Sequence, residues 1–399
     1  MSSGPLDRSP DLQHLISEGF DIEIRANHLV LYDVPYVRAD KTIGLGILVS
    51  TLNLAGGHTA APDTHVSYWD GEFPCSATGA QMDLGSPNQG HDVDEGLKPR
   101  HTFSRRPDIS GSYTDYYEKM TTYVAMIEGQ AQLIDKSVTA RTRRPARPVA
   151  SDSVFEYLDT ASAKAGIGPI NSKLAQGGIA IVGLGGTGSY VLDLVAKTPV
   201  AEIHLFDGDF FLTHNAFRSP GAPTIEDLDS MPKKVRWFAT RYSAMRKKIL
   251  PHEYDLDADN VSELAGMAFV FVCMDAGPGK RSVVEFLVGQ RIPFIDVGIG
   301  LVKADESLSG TARVTRVTQG KTDHVGRRIP LEGSGPDEYD ENIQVADINA
   351  LNAALAVVRW KKERGFYADF GREHSMVYSL VTNTIVNDEI DGENTGPTP

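Results

Sequence analysis

Residues 179–190 read IAIVGLGGTGSY, an apolar run that leads directly into a group of closely spaced glycines. The apolar residues predict a buried strand, and the glycines predict a tight turn from which a helix begins over 187–197. The glycines of this turn are Gly183, Gly185, Gly186 and Gly188. They permit the turn, a close approach of the backbone to a ligand, and close contact between helix and strand. Because free N–H groups at a helix start favour an anion, the stretch predicts a nucleotide site in an α/β fold.

A second predicted strand, 202–206, is followed by an acidic residue, Asp207, which lies 24 positions after Gly183. In nucleotide sites of the strand–turn–helix–strand type, an acidic residue at this place accepts hydrogen bonds from the ribose hydroxyls. The alternative is a tight turn in a protein core that holds no ligand. The succession of strand, turn and helix favours the nucleotide site.

The composition sets limits on the class of protein. With 399 residues, 41% of them hydrophobic and 23% charged, the chain is long enough for two or three globular domains. A net charge of −14 disfavours nucleic acid as a partner. The two cysteines, Cys75 and Cys273, exclude a disulfide scaffold and an all-cysteine zinc site, and they indicate a reducing compartment. Neither a signal peptide nor a membrane-spanning run is recognisable, so we expect a cytoplasmic protein.

The predicted elements divide the chain into four parts. Residues 1–140 form a smaller α+β domain of unknown role, and 141–152 form a basic linker rich in arginine and proline. The linker is a solvated tether or, as the alternative, a basic segment that reaches a phosphate. Residues 153–386 form an α/β domain with a Rossmann-like, mostly parallel sheet, and 387–399 form a flexible tail.

Hydrophobic periodicity gives the elements of each domain. In the first domain we predict helices at 11–18 and 116–134, strands at 20–24, 28–32, 45–52 and 65–69, and loops over 76–112. In the second we predict helices at 153–165, 187–197, 232–249, 279–291 and 342–364, and strands at 202–206, 269–274, 294–297, 311–317 and 376–385. Small residues at close spacing over 342–357 predict core packing, with a dimer contact as the alternative.

Polar residues follow the predicted strands where the strands end. They are Asp207, Asp209, Asn215 and Arg218 after the second strand, a lysine pair at 233–234, and Asp275 after the strand at 269–274. Because strand ends of a doubly wound sheet converge on one crevice, we expect these side chains to surround the glycine turn. Two cations suit a triphosphate, and an additional carboxylate suits Mg²⁺. Since hydride transfer needs none of these groups, the set favours nucleotidyl transfer from ATP over an NAD-dependent oxidoreductase.

Five ordered motifs occur between residues 183 and 275. They are Gly183-x-Gly185-Gly186-x-Gly188, Asp207-x-Asp209, Asn215-x-x-Arg218, Lys234-Val235 and Cys273-x-Asp275. Their order and spacing resemble those of the ThiF/MoeB family, whose adenylating fold is shared with ubiquitin-activating enzymes. The resemblance implies an enzyme that adenylates the C-terminal carboxylate of a ubiquitin-like protein with ATP and Mg²⁺ and releases pyrophosphate. A small peptide or a sulfur-carrier protein is the alternative substrate, and a catalytically silent nucleotide-binding subunit is an alternative function.

The resemblance also implies a role for each matching residue. Asp207 holds the ribose, while Asn215, Arg218 and Lys234 bind the phosphates. Asp275 holds Mg²⁺ and orients the substrate carboxylate near the α-phosphate. Asp209 belongs to the nucleotide site or braces the loop after the strand. Lys233 is a substitute for Lys234 or a solvated charge at the helix start.

The chain departs from the family in its cysteines. It has no pair of Cys-x-x-Cys motifs, so we predict no zinc, and no cysteine follows Asp275. Cys273 lies in a predicted strand, where we expect it to be inert. Cys75 lies in a turn-rich stretch and is a candidate acyl acceptor, with His58, His65 or His91 aiding its ionisation; the alternative is a small apolar core residue.

Two further features concern partners. Relatives supply an arginine to the ATP site of a partner subunit, and candidates for this role in this chain are Arg141, Arg143, Arg144, Arg147, Lys164 and Lys173. Segments 64–75 and 115–123 resemble an uncharacterised domain that is fused to ThiF-like enzymes in bacterial ubiquitin-like gene clusters. We therefore expect a ubiquitin-like or peptide tail as substrate, a homodimer, and, if Cys75 is not the acceptor, a separate conjugating enzyme.

Overall fold

The computed structural model describes residues 5–55, 58–107, 111–144, 153–157, 159, 161–162, 165, 167–175, 177–332 and 343–390. The chain divides into two compact units, Met1–Pro169 and Ile170–Pro399. The division lies after the linker that the sequence predicts at 141–152, of which residues 145–152 are outside the described ranges.

The first unit is an antiparallel sheet with helices. Its described helices are Pro5–Arg8 (α1), Pro10–Glu18 (α2) and Tyr116–Gln132 (α3). Its described strands are Ile22–Arg25 (β1), His28–Val37 (β2), Ile43–Thr51 (β3), Leu54–Ala55 (β4), His58–Thr59 (β5), Val66–Asp70 (β6), Gly85–Ser86 (β7) and His101–Ser104 (β8). Six of them form a sheet in the order β1-β2-β3-β6-β8-β7, and β4 pairs with β5. Buried residues of α2 and α3 pack with this sheet in one hydrophobic core.

Helix α3 contributes a buried lysine to the first unit. Lys119 is fully buried, and its ammonium donates hydrogen bonds to Ser50 Oγ (2.8 Å), Thr64 O (2.9 Å) and Val66 O (2.7 Å). These bonds tie α3 to β3 and to the start of β6. Burial lowers the pKa of Lys119 from 10.5 to about 8.

The depressed pKa of Lys119 predicts a pH-dependent stability. Between about pH 8 and pH 10.5 the unfolded chain binds more protons at this position than the folded chain, so folding becomes more favourable as pH rises through that window. From pH 7.5 to pH 9.5 the free energy of unfolding should rise by about 2 kcal/mol relative to Lys119→Met, which cannot titrate. Denaturant titration of both chains measures this difference; equal pH slopes would contradict it.

The second unit contains a mixed sheet flanked by helices. Its described strands are Gly178–Val182 (β9), Glu202–Phe206 (β10), Ile249–His252 (β11), Phe269–Val272 (β12), Phe294–Ala304 (β13), Ser307–Val317 (β14), Ser375–Ser379 (β15) and Thr384–Asp388 (β16). The described α-helices, of which the first spans the division between the units, are Gly168–Asn171 (α4), Gly186–Ala196 (α5), Thr213–Ala216 (α6), Ile225–Asp229 (α7), Lys234–Ser243 (α8), Pro278–Gly289 (α9), Val325–Arg328 (α10) and Ala346–Glu363 (α11). Two short 3₁₀ helices occur at Ser172–Leu174 and Val261–Leu264.

The strand order of the second sheet is β11-β10-β9-β12-β13-β14-β15-β16. The first five strands are parallel, whereas β13 to β16 pair antiparallel. Alternate residues of β9 belong to different cores: Ile179 and Ile181 pack on one face of the sheet, and Ala180 and Val182 pack on the other. The prediction of an α/β unit with a mostly parallel, Rossmann-like sheet after an α+β domain is therefore confirmed.

The connections around β9 determine where a ligand is expected in the second unit. After β9 the chain passes through α5 to β10 on one side, and later returns to β12 on the other side. Strand order thus reverses beside β9, which is where doubly wound sheets bind ligands at the carboxyl ends of their strands. The ends of β9, β10 and β12 are followed by Gly183, Asp207 and Cys273.

Several predicted elements need correction. The helix predicted at 232–249 ends at Ser243, and its last predicted residue begins β11. The predicted strand at 376–385 is two strands, β15 and β16, which pair as a hairpin and leave only 391–399 of the predicted tail outside the described residues.

Two other differences are local. Residues 153–157 are not helical, so the helix predicted at 153–165 is wrong over its first turn. Among 76–112, predicted as loops, strand β8 pairs with β6 because Phe103 is buried in the core of the sheet. In the described part of the chain, every helix is too short or too polar to cross a membrane.

Candidate functional site

The glycine turn after β9 is closely packed beneath its backbone. Gly183 has a φ of 89°, and its N–H donates a hydrogen bond to Phe206 O at 2.8 Å. A Cβ on Gly183 would lie 2.5 Å from Cys273 O, and a Cβ on Gly188 would lie 1.9 Å from Gly183 O. Side chains therefore cannot be added at these two positions without moving backbone.

The other two glycines of the turn have different surroundings. No described atom lies within 4 Å of the place that a Cβ on Gly185 would occupy, so a ligand can approach the backbone there. A Cβ on Gly186 would lie 2.1 Å from Nδ2 of Asn349. Helix α5 begins at Gly186, so its free N–H groups lie at the same turn and favour an anion.

Asn349, which the sequence analysis missed, holds the turn from helix α11. Its Oδ1 accepts a hydrogen bond from Thr187 Oγ1 at 2.9 Å, and its Nδ2 donates to Val345 O at 3.1 Å. Asn349 is fully buried where α11 packs on α5. The small residues of α11 predicted core packing, and this is what the helix does; the asparagine itself carries no local sequence signal.

Asp207 fastens the end of β10 to the glycine turn. Its Oδ2 accepts a hydrogen bond from Leu184 N at 2.7 Å, and its Oδ1 accepts one from Asp209 N at 2.9 Å. Burial raises the pKa of the Asp207 carboxyl, and the Lys234 ammonium opposes that rise. Both oxygens thus already have partners, so a bond to ribose would be additional to a bracing role.

Lys234, at the start of α8, joins the two acids of the Asp-x-Asp motif. Its buried ammonium lies 3.3 Å from Asp207 Oδ1 and 2.6 Å from Asp209 Oδ2. The Asp209 side chain is 71% exposed, so it is the acid of the pair that solvent and ligands can reach. Lys233 instead donates to Gly208 O and lies 3.9 Å from the centre of the Phe210 ring.

Two buried donors, one in the short helix α6 and one just after it, have no hydrogen-bond partner within the described residues. Asn215 is buried, and its Oδ1 accepts from Leu212 N at 2.9 Å, whereas its Nδ2 has no hydrogen-bond partner there. The buried Nε of Arg218 likewise has no hydrogen-bond partner among the described residues. Burial lowers the pKa of the Arg218 guanidinium, and the charges of Asp275 and Asp209 oppose that change. Arg218 therefore lies within electrostatic reach of two of the predicted acids.

The third strand end carries Cys273 and Asp275. Cys273 N donates to Val182 O at 2.8 Å, which continues the pairing of β12 with β9 beneath the turn. Cys273, predicted within the strand, directly follows β12 and is half-buried; its surroundings raise the pKa of its thiol, which disfavours the reactive thiolate. Asp275 is exposed. The described residues contain no group of three His, Cys, Asp or Glu side chains arranged to hold a metal ion.

A protein-family model matches each part of the chain. A model described as the ThiF family matches residues 162–351, the part that contains the glycine turn and all five motifs. These residues are a ThiF family domain. A second model, described as a domain of unknown function (DUF6791), matches residues 10–160.

Solved structures similar to this chain include PaaA and MccB. The crystal structure of PaaA is 17% identical, with 56% of this chain and 76% of that chain covered and a TM-score of 0.45. E. coli MccB crystallised with MccA-N7isoASN is 17% identical, with 59% and 71% covered and a TM-score of 0.46. E. coli MccB with ATP is 16% identical, with 59% and 71% covered and a TM-score of 0.43. No curated protein matches this chain.

Cys75, the candidate acyl acceptor, lies in the core of the first unit. It is 5% exposed, it forms β-bridges with Val37 and Gln81, and it packs with Val37 and Ala131. Burial raises the pKa of the Cys75 thiol. A buried, protonated thiol is a poor nucleophile, so this environment favours the alternative interpretation of Cys75 as a small apolar core residue.

The three histidines that could ionise Cys75 have other partners. His58, His65 and His91 contact Arg8 O at 2.8 Å, Ser104 Oγ at 3.0 Å and His28 Nε2 at 2.9 Å, respectively. The Cys75 thiol donates to Phe73 O at 3.7 Å.

We expect Cys75 to react slowly while the chain is folded. Iodoacetamide should modify it at least about tenfold more slowly in the native chain than in the denatured chain, because the buried thiol has a raised pKa. Intact-mass spectrometry of wild type and Cys75→Ser assigns the labelled cysteine. An ATP-dependent thioester that forms on wild type and disappears in Cys75→Ser would contradict the core role.

The basic residues considered for a partner's ATP site make local contacts. Arg141 pairs with Glu18 at 2.9 Å, and Arg144 pairs with Asp33. Lys173 donates to Gly365 O at 2.8 Å. Arg147 and Lys164 lie outside the described residues, so a basic residue acting in a second subunit stays a prediction.

Proposed function

We propose that the ThiF domain adenylates the C-terminal carboxylate of a ubiquitin-like protein, using ATP and Mg²⁺ and releasing pyrophosphate. The observation that carries this proposal is the pair of buried donors, Asn215 Nδ2 and Arg218 Nε, which lack partners among the described residues and belong to the same motif set as Lys234. Buried donors without partners are costly, and an anionic ligand would satisfy them. Together with the open backbone at Gly185, they form a set suited to phosphates.

The charges of the proposed site favour a bound divalent metal ion. The site has three carboxylates, Asp207, Asp209 and Asp275. It also has three cations, Arg218, Lys234 and Lys233, so the protein provides no surplus positive charge for a phosphate. A triphosphate would leave an excess of negative charge, which a divalent cation offsets. Mg²⁺ commonly uses one or two carboxylates together with phosphate oxygens, so the exposed Asp275 would hold it. When bound, Mg²⁺ supplies charge neutralisation at the phosphates.

The chain's own residues position the reactants. The N–H groups at the start of α5 and the side chains of Asn215, Arg218 and Lys234 hold the phosphates and offset their charge. The substrate carboxylate oxygen bonds to the α-phosphorus while the bond to the bridging oxygen of the β-phosphate breaks. Pyrophosphate takes the electron pair and leaves, and an acyl-adenylate remains. Such a step needs positioning and electrostatic stabilisation and no covalent group of the enzyme.

The nature of the substrate is the finer part of the proposal. A ubiquitin-like tail follows from the family resemblance of the motifs and of the N-terminal segments. A small peptide or a sulfur-carrier protein is the alternative that keeps the same chemistry. A homodimer, a cytoplasmic location and, given the burial of Cys75, a separate protein that accepts the acyl group complete the proposal.

The test is ATP–pyrophosphate exchange by the full chain with a panel of glycine-terminated ubiquitin-like proteins and peptides. We expect exchange that depends on a free C-terminal carboxylate and stops when the carboxylate is amidated. Nicotinamide dinucleotide binding without exchange would instead indicate an oxidoreductase. ATP binding without exchange with any tail would indicate a silent subunit, and either result would overturn the proposal.

A further inference from the structure

A buried cluster of three charged residues lies near the proposed site in the second sheet. Lys280 in α9 has its ammonium 2.7 Å from Asp296 Oδ1 in β13, and Arg313 in β14 has Nη2 2.7 Å from Asp296 Oδ2. The Asp296 side chain is fully buried, and those of Lys280 and Arg313 are 2% and 18% exposed. None of these residues belongs to the five motifs.

The cluster joins two cations to one carboxylate. Among the described residues, neither Asp296 oxygen has a partner in hydrogen-bond geometry, so the contacts are chiefly Coulombic. Two basic side chains and one acidic side chain give the cluster a formal charge of +1, and a charge out of water is unfavourable unless it is compensated. The small exposed part of the cluster belongs to Arg313, so a compensating anion from solution would reach the guanidinium and not Lys280.

Neighbouring residues fix the guanidinium of Arg313. Its Nη1 donates to Thr315 Oγ1 at 2.7 Å. Its Nη2 lies 2.7 Å from the place of a Cβ on Gly298, the residue that pairs with it across the two strands. Any side chain at position 298 would therefore displace the guanidinium. Because Gly298 has no side chain, the Arg313 guanidinium can lie against this part of β13.

Strand order gives the cluster a position relative to the nucleotide. The predicted ribose and phosphate residues follow β10 and β9, and Asp275 follows β12. Strands β13 and β14 lie on the far side of β12 from β9. Asp296 pairs with Val272, so Gly298 and Arg313 are level with the residues just after β12. Arg313 therefore lies on the side of β12 opposite to the predicted ribose and phosphate residues, where a substrate next to Asp275 would not overlap the nucleotide.

We infer that Arg313 binds the terminal carboxylate of the acyl substrate and so selects tails that end in a free carboxylate. Asp296 and Thr315 hold the guanidinium in place, and Lys280 keeps the cluster positive when Asp296 pairs with Arg313. This inference rests on the proposed adenylation and assigns the substrate side of the same site. It requires no chemical step by Arg313, which anchors the anion beside the reacting atoms.

The first test uses a small carboxylate probe and needs no known substrate. N-acetyl-diglycine should raise the Tm of the full-length wild type more than its neutral C-terminal amide does, because only the acid offers an anion. In Arg313→Gln this difference should disappear. That variant should fold, because it leaves a neutral Lys280–Asp296 pair. In the control Lys303→Gln, which removes an exposed cation of the same hairpin, the difference should persist.

Each outcome of the probe experiment decides the inference. The inference would be overturned if the acid raised the Tm no more than the amide did in wild type. It would also be overturned if the acid exceeded the amide by the same amount in wild type and in Arg313→Gln. If the Tm difference between acid and amide disappeared in both Arg313→Gln and Lys303→Gln, it would reflect a general effect of surface charge, and this result would also overturn the inference.

The second test separates this inference from the proposed function. With a tail that supports exchange, Arg313→Gln should raise the KM for the tail about tenfold, the loss of one charge-assisted bond, and leave the KM for ATP within about twofold. Arg313→Lys should restore part of the affinity. Wild-type exchange with an unchanged tail KM in Arg313→Gln refutes only the inference, whereas absent wild-type exchange refutes the proposed function.

Discussion

Replacement of Asp275 by alanine is expected to lower the rate of ATP–pyrophosphate exchange by about 100-fold or more. The carboxylate is the proposed protein ligand of Mg²⁺, and its charge acts on Arg218 across the crevice. Without it, Arg218 loses one of the two acids that face it, and the phosphates lose the cation that Asp275 would hold. The loss should fall on kcat, because the variant keeps Asn215, Arg218 and Lys234, the residues proposed to bind the phosphates.

The fold of the Asp275→Ala variant should be intact, because Asp275 is exposed and lies in the loop between β12 and α9. Its Tm should stay within about 5 °C of that of wild type, the change expected from loss of the Asp275 charge near Arg218. Glu306→Ala is the matched control, since Glu306 is also an exposed acid of the second unit and lies at the tip of the β13–β14 hairpin. Exchange that is equally fast in Asp275→Ala and in Glu306→Ala would remove Asp275 from the proposed mechanism.

The local part of the site could be predicted from the sequence. Strand β10 has the predicted bounds 202–206, and the predicted turn and helix after β9 are present. These features could be predicted because consecutive residues determine the backbone conformation of a glycine turn. The side chains of Asp207, Asp209 and Lys234 lie close together because both acids follow β10 and the start of α8 packs there, with Lys234 N donating to Asp209 O at 3.0 Å.

The remaining part depends on residues that are distant in sequence. Asn349 and Thr187 are 162 positions apart and meet only because α11 packs on α5. Arg313 meets Asp296 because β13 and β14 pair antiparallel, with a register that no local pattern encodes. The same reason applies to Cys75: its turn-rich neighbours suggest exposure, but its bridges to Val37 and Gln81 bury it.

Replacement of Gly188 by alanine is expected to disrupt the glycine turn. The new Cβ would lie 1.9 Å from Gly183 O and 3.2 Å from Cys273 Cβ, so it would meet backbone and strand, and not a flexible side chain. Helix α5 would have to move away from β9. We expect a loss of about 3 kcal/mol in the free energy of unfolding.

The effect on nucleotide binding should be larger than the loss of stability alone would cause. Movement of α5 displaces the N–H groups at Gly185 and Gly186, and it breaks the bond of Thr187 to Asn349 that holds them. ATP affinity, measured by isothermal titration below the unfolding temperature, should therefore fall at least about tenfold.

The control for Gly188→Ala is a glycine with free space around it. Gly289 is the last residue of helix α9, it is exposed, and no described atom lies within 4 Å of the place that a Cβ on it would occupy. Gly289→Ala should raise the free energy of unfolding by up to about 1 kcal/mol, because alanine favours helix more than glycine does. It should leave ATP affinity unchanged. If Gly188→Ala behaves like Gly289→Ala in both measurements, the close contact between turn and helix does not shape the nucleotide site.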